Sequence, residues 1–301
     1  MTNIVPTTGA QVVKAPQYIE EGYPATPANY GVMPASPTFV WIGLNSQIEP
    51  SQDPDIQERI AVASEDVQAI LQGKQADMIK LTFDVQSSTF LKYAINAVNW
   101  TTPTGTVAAT FSLLYSILMN GTENFITING CRPNSLKLKV AAGQNLTADM
   151  EVWGAFLNPP TVTGPTTPTY ATPVSTAPWN FTDEGTTPVT IGGTNVVITD
   201  IEADFARNLK RLHTLQSYKN IDLPPTTRNI TGKMTVVWSN STYMVDLEAL
   251  TESSMVWTLK SSTSTITFTN MSFRKLDSLT TSPKEVVYEK YSWAARSATV
   301  T

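Results

Sequence analysis

The chain has one cysteine, Cys131, and one histidine, His213, in 301 residues. The first excludes an intrachain disulfide and a cysteine cluster for zinc. The second leaves no multi-histidine metal site and few general bases. Charge is scarce too: Asp, Glu, Lys and Arg supply 15% of the residues, against about a quarter in ordinary globular proteins. The net charge is −5 and no long basic run occurs, so a high-affinity groove for nucleic acid is not expected. No apolar stretch reaches the about 18 residues of a membrane span; the longest, near 107–119, is interrupted by Thr110, Ser112 and Ser116. Residues 1–11 have neither a basic nor an apolar leader region, so no signal peptide is expected and synthesis in the cytoplasm is.

Threonine fills the place of charge, at 44 residues, beside 20 prolines and an apolar fraction of 41%. β-Branched threonine suits pleated sheet, and this much proline does not suit a helical bundle. The expected class is mainly β, with enough apolar material for a real core. The length allows one large or two ordinary domains.

Residues 1–37 are Pro-rich and aperiodic and read as an extended arm. A short apolar strand at 39–44 precedes residues 46–77, which lack a steady period and read as a long loop. Ile79, Leu81, Phe83 and Val85 then alternate with Lys80, Thr82 and Asp84, as in a half-buried strand. Ser87 and Ser88 offer N-caps, and Phe90, Leu91, Ala94, Ile95 and Val98 predict about three turns of helix. Further strands are expected at 107–118, 124–129, 136–141 and 148–156. Residues 158–178, rich in Pro and Thr and free of charge, read as a linker or a stiff crossing segment. The pattern then restarts, with strands at 189–191 and 196–205, a loop at 207–230 and a strand at 233–239. A helix at 241–252 and strands at 255–260, 263–273 and 286–297 follow.

The two halves repeat each other. Leu81, Phe83 and Val85 match Met234, Val236 and Trp238 at an offset of 153 residues. Each strand leads to a Ser/Thr-headed helix, Ser88-Thr89-Phe90-Leu91 and Ser241-Thr242-Tyr243-Met244. Gly73-Lys74 and Gly232-Lys233 stand ahead of the same succession of elements. This is an internal duplication of units of about 120–130 residues. The expected layout is an arm over 1–37, a first domain over 38–157, the linker over 158–178 and a second domain over 179–301.

Four stretches carry a family resemblance. Trp41-Ile42-Gly43-Leu44 leads to a loop with Gln57-Glu58-Arg59. Gly130-Cys131-Arg132-Pro133-Asn134-Ser135-Leu136-Lys137-Leu138 runs through Gly143 into residues 146–154. Ala177-Pro178-Trp179-Asn180-Phe181 opens the second half, and residues 196–209 precede Gly232-Lys233 and the second helix. In order and spacing, over roughly 40–300, the chain resembles the two-domain tail tube proteins (major tail proteins) of tailed phages and viruses. The resemblance implies two tandem tail-tube-like β-sandwich or barrel domains, each with one packed α-helix, besides the arm. It implies a structural virion protein, not an enzyme, whose rings stack into the tube that conducts the genome. If six such domains close a ring, three chains form it, as a homotrimer with approximate sixfold symmetry. The implied partners are further copies of the chain, tail tip or baseplate proteins, tail terminator proteins and DNA that passes without tight binding. No cofactor, metal or membrane is implied, and the implied location is the virion tail. The expected departures from the family are the lack of a C-terminal decoration domain and the acidity of the first long loop.

Physical chemistry points the same way. Long alternating strands with open edges are an aggregation hazard for a monomer, and a ring of copies closes those edges. The loops 46–77 and 207–230 hold equivalent places. Asp53, Asp55, Glu58 and Arg59 in the first, with Arg207, Lys210, Arg211 and Arg228 in the second, are the candidate contacts between stacked rings. The arm's Ile4, Val5, Val12, Val13, Tyr18, Tyr23 and Tyr30 are candidate anchors on a neighbouring subunit.

Other readings of single residues are weaker. His213 has no second histidine for a metal site and reads as an exposed loop residue. Cys131 lacks a nearby base and reads as a turn cysteine. The acidic residues of 49–66 lack EF-hand spacing and read as a solvated face. Seven Asn-x-Ser/Thr triplets, at Asn99, Asn120, Asn145, Asn180, Asn229, Asn240 and Asn270, are what this threonine content produces by chance. The seven tryptophans spread over both halves, which suits core and interface packing better than a sugar platform. The alternative functions are a tube protein of a phage-like injection particle without a genome, a carbohydrate-binding β-sandwich adhesin, and a β-fold hydrolase. The last has no convergent acid, base and nucleophile here.

Overall fold

The structure, a computed structural model, describes residues 11–21, 30–53, 55–60, 67–96, 110–119, 121–180, 189–215, 217–238, 242–260, 264–280 and 286–301. The first half contains β1 (Gln11–Glu20), β2 (Val40–Trp41), β3 (Leu44–Asp53), β4 (Ile56–Ile60), β5 (Val67–Gln72) and β6 (Ala76–Asp84). The one-turn α1 (Lys92–Ile95), β7 (Phe111–Met119), β8 (Thr122–Ala141), β9 (Thr147–Gly154) and the short β10 (Phe156–Leu157) complete it. The second half contains β11 (Val189–Ile191), β12 (Thr194–Val196), β13 (Ile198–Ala206), β14 (Leu212–Thr214), β15 (Ser217–Asp222) and β16 (Asn229–Val237). It ends with α2 (Thr242–Ala249), β17 (Ser253–Lys260), β18 (Ser264–Thr280) and β19 (Tyr288–Val300).

The halves share one pairing scheme. In the first, β1 pairs with β2 and β7, β3 with β6, β6 with β9, β9 with β8, β8 with β7, and β4 with β5. In the second, β11 pairs with β12 and β17, β13 with β16, β16 with β19, β19 with β18, β18 with β17, and β14 with β15. The register repeats as well: Ile48 faces Leu81 and Glu49 faces Lys80, as Ile201 faces Met234 and Glu202 faces Lys233. Alternation explains the central strands, since Ile79, Leu81 and Phe83 of β6 and Ile230, Met234 and Val236 of β16 all turn into the core. The main core cluster reaches from Tyr18 to Val300, beside a small second one of Ile19, Phe39 and Leu114.

β8 makes the halves one sheet. Its first part pairs with β7, and its last residues, Ser135–Ala141, pair with β13. The change of partner comes after a kink at Gly130, between Cys131, still opposite Phe111 of β7, and Ser135; the φ of Gly130 is +66° and a Cβ there would stand 2.6 Å from Ala155 Cβ. Only glycine fits that kink without strain. Together 15 strands form this sheet among the described residues.

Several expectations change. Residues 11–20 are not a free arm but β1, the counterpart of β11. Tyr18 is buried among Phe90, Tyr93 and Phe111, with ring centroids 4.6 to 6.2 Å away. Bulges on either side of Lys14 let a strand containing Pro16 pair at all. Residues 46–77 are not one loop: β3 and the hairpin β4–β5 occupy them. The expected strands at 124–129 and 136–141 are the single β8. The first helix is one turn among the described residues, because Asn96 turns to extended backbone and exchanges hydrogen bonds with Val300 instead. Lys74 precedes β6 whereas Lys233 lies within β16, so the true counterpart of Lys233 is Lys80. Residues 158–178 are a crossing strap on the first half. Thr161 bonds to Phe125, Thr169 to Pro37 and Phe39, and Trp179 to Val85 and Leu146.

Candidate assembly surfaces

The seam between the halves is built from local alternation. On β8, Leu136 and Leu138 face inward; on β13, Ala203 and Phe205 do, and all four are buried. Leu138 stands opposite Ala203, and Lys139 opposite Glu202. On the outer face Lys137 Nζ lies 2.5 Å from Glu202 Oε1 and 3.7 Å from Asp204 Oδ1. The Glu202 hydrogen bond raises the Lys137 pKa, and desolvation raises that of Asp204.

Beneath the seam, the last carbonyls of α1 receive arginine from the second half. Arg207 Nε donates to Ala94 O at 3.0 Å and its Nη2 to Asn96 O. Arg228 Nη2 donates to Ala298 O at 2.7 Å and to Ile95 O. Cations favour a helix C-terminus, where carbonyls lack partners. Burial lowers the Arg207 pKa, with Arg228 and Arg132 adding to it.

The hairpin β14–β15 also rests on the first half. Arg132 Nη1 lies 2.8 Å from Asp222 Oδ1 and donates to Leu223 O at 2.8 Å. Asn220 Nδ2 donates to Gly154 O at 3.2 Å, and Lys219 Nζ sits 3.5 Å above the Phe156 ring. Arg211 stacks 3.9 Å from the Trp153 ring and donates to Asp77 O. The Asp77 carboxyl is itself buried, which raises its pKa, while Gln75 and Leu157 donate to it.

These contacts correct the candidate set between rings. Arg207 is buried, and Arg228 and Arg211 are held within the chain, because the 207–230 segment docks sideways rather than standing free. Lys210, Asp53 and Asp55 are exposed. Glu58 and Arg59 lie in β4, opposite Ile70 and Ala69, with side chains outside the described residues. Among the arm anchors, Tyr18 is in the core and Tyr30 donates to Gly130 O at 3.1 Å. Val12 and Val13 lie in β1 with side chains outside the described residues, and Ile4, Val5 and Tyr23 lie outside them altogether.

Among the open sheet edges of the described residues, two stand at the places that the seam fills elsewhere. β3 pairs on one side only, with β6, and residues 49–53 are all exposed. The end of β18, beyond its pairing with β17, is bordered by β19 alone. Nearby apolar side chains are bare: Leu279 on β18, Ile56 and Ile70 on the first hairpin, and Val245 on α2. α2 has no buried residue, whereas α1 buries Tyr93, Ala94 and Ile95.

Sequence reasoning missed the seam residues Lys137, Leu138, Ala203 and Glu202. Their alternation was visible, but not which strand they would meet. Cys131 is fully buried with its thiol pKa well raised by burial, which suits packing rather than nucleophilic attack. His213 lies half-buried in β14. Among the described residues no three or more His, Cys, Asp or Glu gather into a metal site, and no helix is long and apolar enough to cross a membrane.

One family model, described as phage tail tube protein, matches residues 17–295. No curated protein matches the chain.

Proposed function

This chain belongs to the phage tail tube protein family, and we propose that its copies close into rings whose stacking forms the conduit of a virion tail. Membership makes it a structural virion protein of the tail-tube type rather than an enzyme. The observation that carries the finer reading is the seam, where one repeat joins the next edge to edge through β8 and β13. A heterologous contact of that kind, repeated, gives a ring. With two tube domains per chain and six per ring, three chains close it, with sixfold symmetry only approximate.

The face of the sheet turned away from the core is the proposed lumen. Lys80, Lys137, Lys139, Lys233 and Lys290 share it with Glu49, Asp149, Glu151, Glu202 and Asp204. Its charges are partly matched to one another, as in Lys137 with Glu202 and Lys139 with Asp149 at 3.9 Å. Phosphates passing such a wall find few free cations, so counterion release and tight binding are limited. Asp55 and Lys210, with Glu58 and Arg59 in the hairpin strand, remain the proposed contacts between stacked rings. Tail tip or baseplate and terminator proteins are the proposed partners at the tube ends.

Negative-stain microscopy and native mass spectrometry of the purified protein test this reading. Rings of three chains, or tubes in which such rings stack, are expected. A protein that stays monomeric rejects the reading, and six chains per ring reject the assignment of both halves to the lumen.

A further inference from the structure

The repeat makes the seam a template for a contact that the single chain leaves unmade. β13 finds β8 on its outer side; its counterpart β3 has no partner there among the described residues. The end of β8 finds β13; the matching end of β18 has none among them. We propose that β3 of one copy pairs antiparallel with residues 275–280 of β18 in a second copy, in the register of the seam. This rests on the ring reading and specifies its lateral joint.

The register follows from strands already paired. β3 maps onto β13 at an offset of 153, because the β3–β6 and β13–β16 ladders coincide residue by residue from Ile48 and Ile201. β8 maps onto β18 through their common neighbours. Lys139 faces Thr147 at the start of β9, as Thr280 faces Tyr288 at the start of β19. Leu138 and Lys137 therefore correspond to Leu279 and Ser278. A bulge between Leu276 and Ser278 takes up Asp277, and Ser135 corresponds to Lys275. Transferring the seam register sets Thr280 opposite Glu49, Leu279 opposite Pro50, Ser278 opposite Ser51 and Lys275 opposite Asp53 of the second copy.

Burial and charge favour a second copy as the occupant. Leu138 is 0% exposed in the seam, while its counterpart Leu279 is 47% exposed at the open edge. Lys275, held at 3.0 Å by Asp277, would gain Asp53 as a second carboxylate. Opposite charges directly across a strand pair are favourable. Pro50 has no N–H, so the joint has one donor fewer than the seam, and proline on an edge also discourages indiscriminate pairing. Flanking the edges, exposed Ile56 and Ile70 occupy the hairpin whose counterpart, β14–β15, docks on the neighbouring half. Asp53 thereby moves from a contact between rings to a contact within one.

Cysteine cross-linking of the full chain tests the register. Residues directly opposite fall within disulfide reach, so Ser51→Cys combined with Ser278→Cys should give interchain multimers on a non-reducing gel after mild oxidation of assembled protein. Gln47→Cys combined with Ser278→Cys places the thiols four residues, about 13 Å, apart along the strand and should give none. The native Cys131 is buried and does not compete. Rings without the first cross-link, or with both equally, overturn the register and leave the ring reading standing; a chain that never assembles overturns both. As a second variant, Leu279→Glu should leave the unfolding temperature of the unassembled chain unchanged and abolish rings. Assembly at the parent level overturns the proposal.

Discussion

Lys137 Nζ lies 2.5 Å from Glu202 Oε1, across the seam that joins the two halves of the chain. Under this pair, Leu138 and Ala203 face each other, both 0% exposed. The two layers of the seam differ in energy. Exposed ion pairs contribute about 0–1 kcal/mol, whereas truncating a buried leucine costs about 2–5 kcal/mol.

The first prediction compares those layers. Lys137→Ala should lower unfolding free energy in urea by less than about 1 kcal/mol, and Leu138→Ala by about 2–5 kcal/mol. The charge layer should also show a pH signature. The folded-state pKa of Lys137 is raised by Glu202. Its contribution is therefore complete below the unfolded lysine value of about 10.4 and is lost as pH rises through the higher folded value. The small stability gap between the parent and Lys137→Ala should close over that alkaline window. A gap that instead closes on acidification only to neutral pH would contradict the assignment.

A second prediction concerns the arginine that caps α1. Arg207 sits 6% exposed and donates to Ala94 O and Asn96 O. Arg207→Ala leaves buried carbonyls without donors, and hydrogen bonds to charged groups contribute about 1.5–3 kcal/mol each. A loss of about 3 kcal/mol is expected in denaturant titration. Arg207→Lys should restore only part of it, because an ammonium lacks the planar fork that serves two acceptors. Full rescue by lysine would show that charge alone matters there.

The third prediction tests close approach in β16. A Cβ on Gly232 would stand 2.2 Å from Glu202 O and 2.3 Å from Trp293 Cζ2. One neighbour is strand backbone and the other a buried indole, so neither gives way cheaply. Gly232→Ala should destabilise the chain by about 1–3 kcal/mol, read as a lower thermal midpoint. An unchanged midpoint would mean that β13 and β16 can separate without loss.

The sequence alone determined the class and the duplication. Alternation at 79–85 and 232–238 is a local signal, since every second side chain must turn to the same face, and its recurrence at 153 residues is visible without coordinates. The strand after each helix and the second helix were legible from equally local patterns. Tertiary structure decided the rest, because the missing terms are long-range. β3 has only Leu44 and Ile48 as apolar side chains to half-bury on its inner face and is polar beyond them, so its ladder with β6 makes it a strand. β1 looked like an arm until β7, about a hundred residues away, supplied its ladder and Phe111 its aromatic neighbour for Tyr18. Arg207 and Arg228 looked like surface charge, and were drawn inward by carbonyls more than a hundred residues earlier in the chain. Which edge meets which cannot be written in a period of two: a strand's pattern fixes its inner face, whereas its neighbours are fixed by the hydrogen bonds and buried surfaces that only the folded chain brings together.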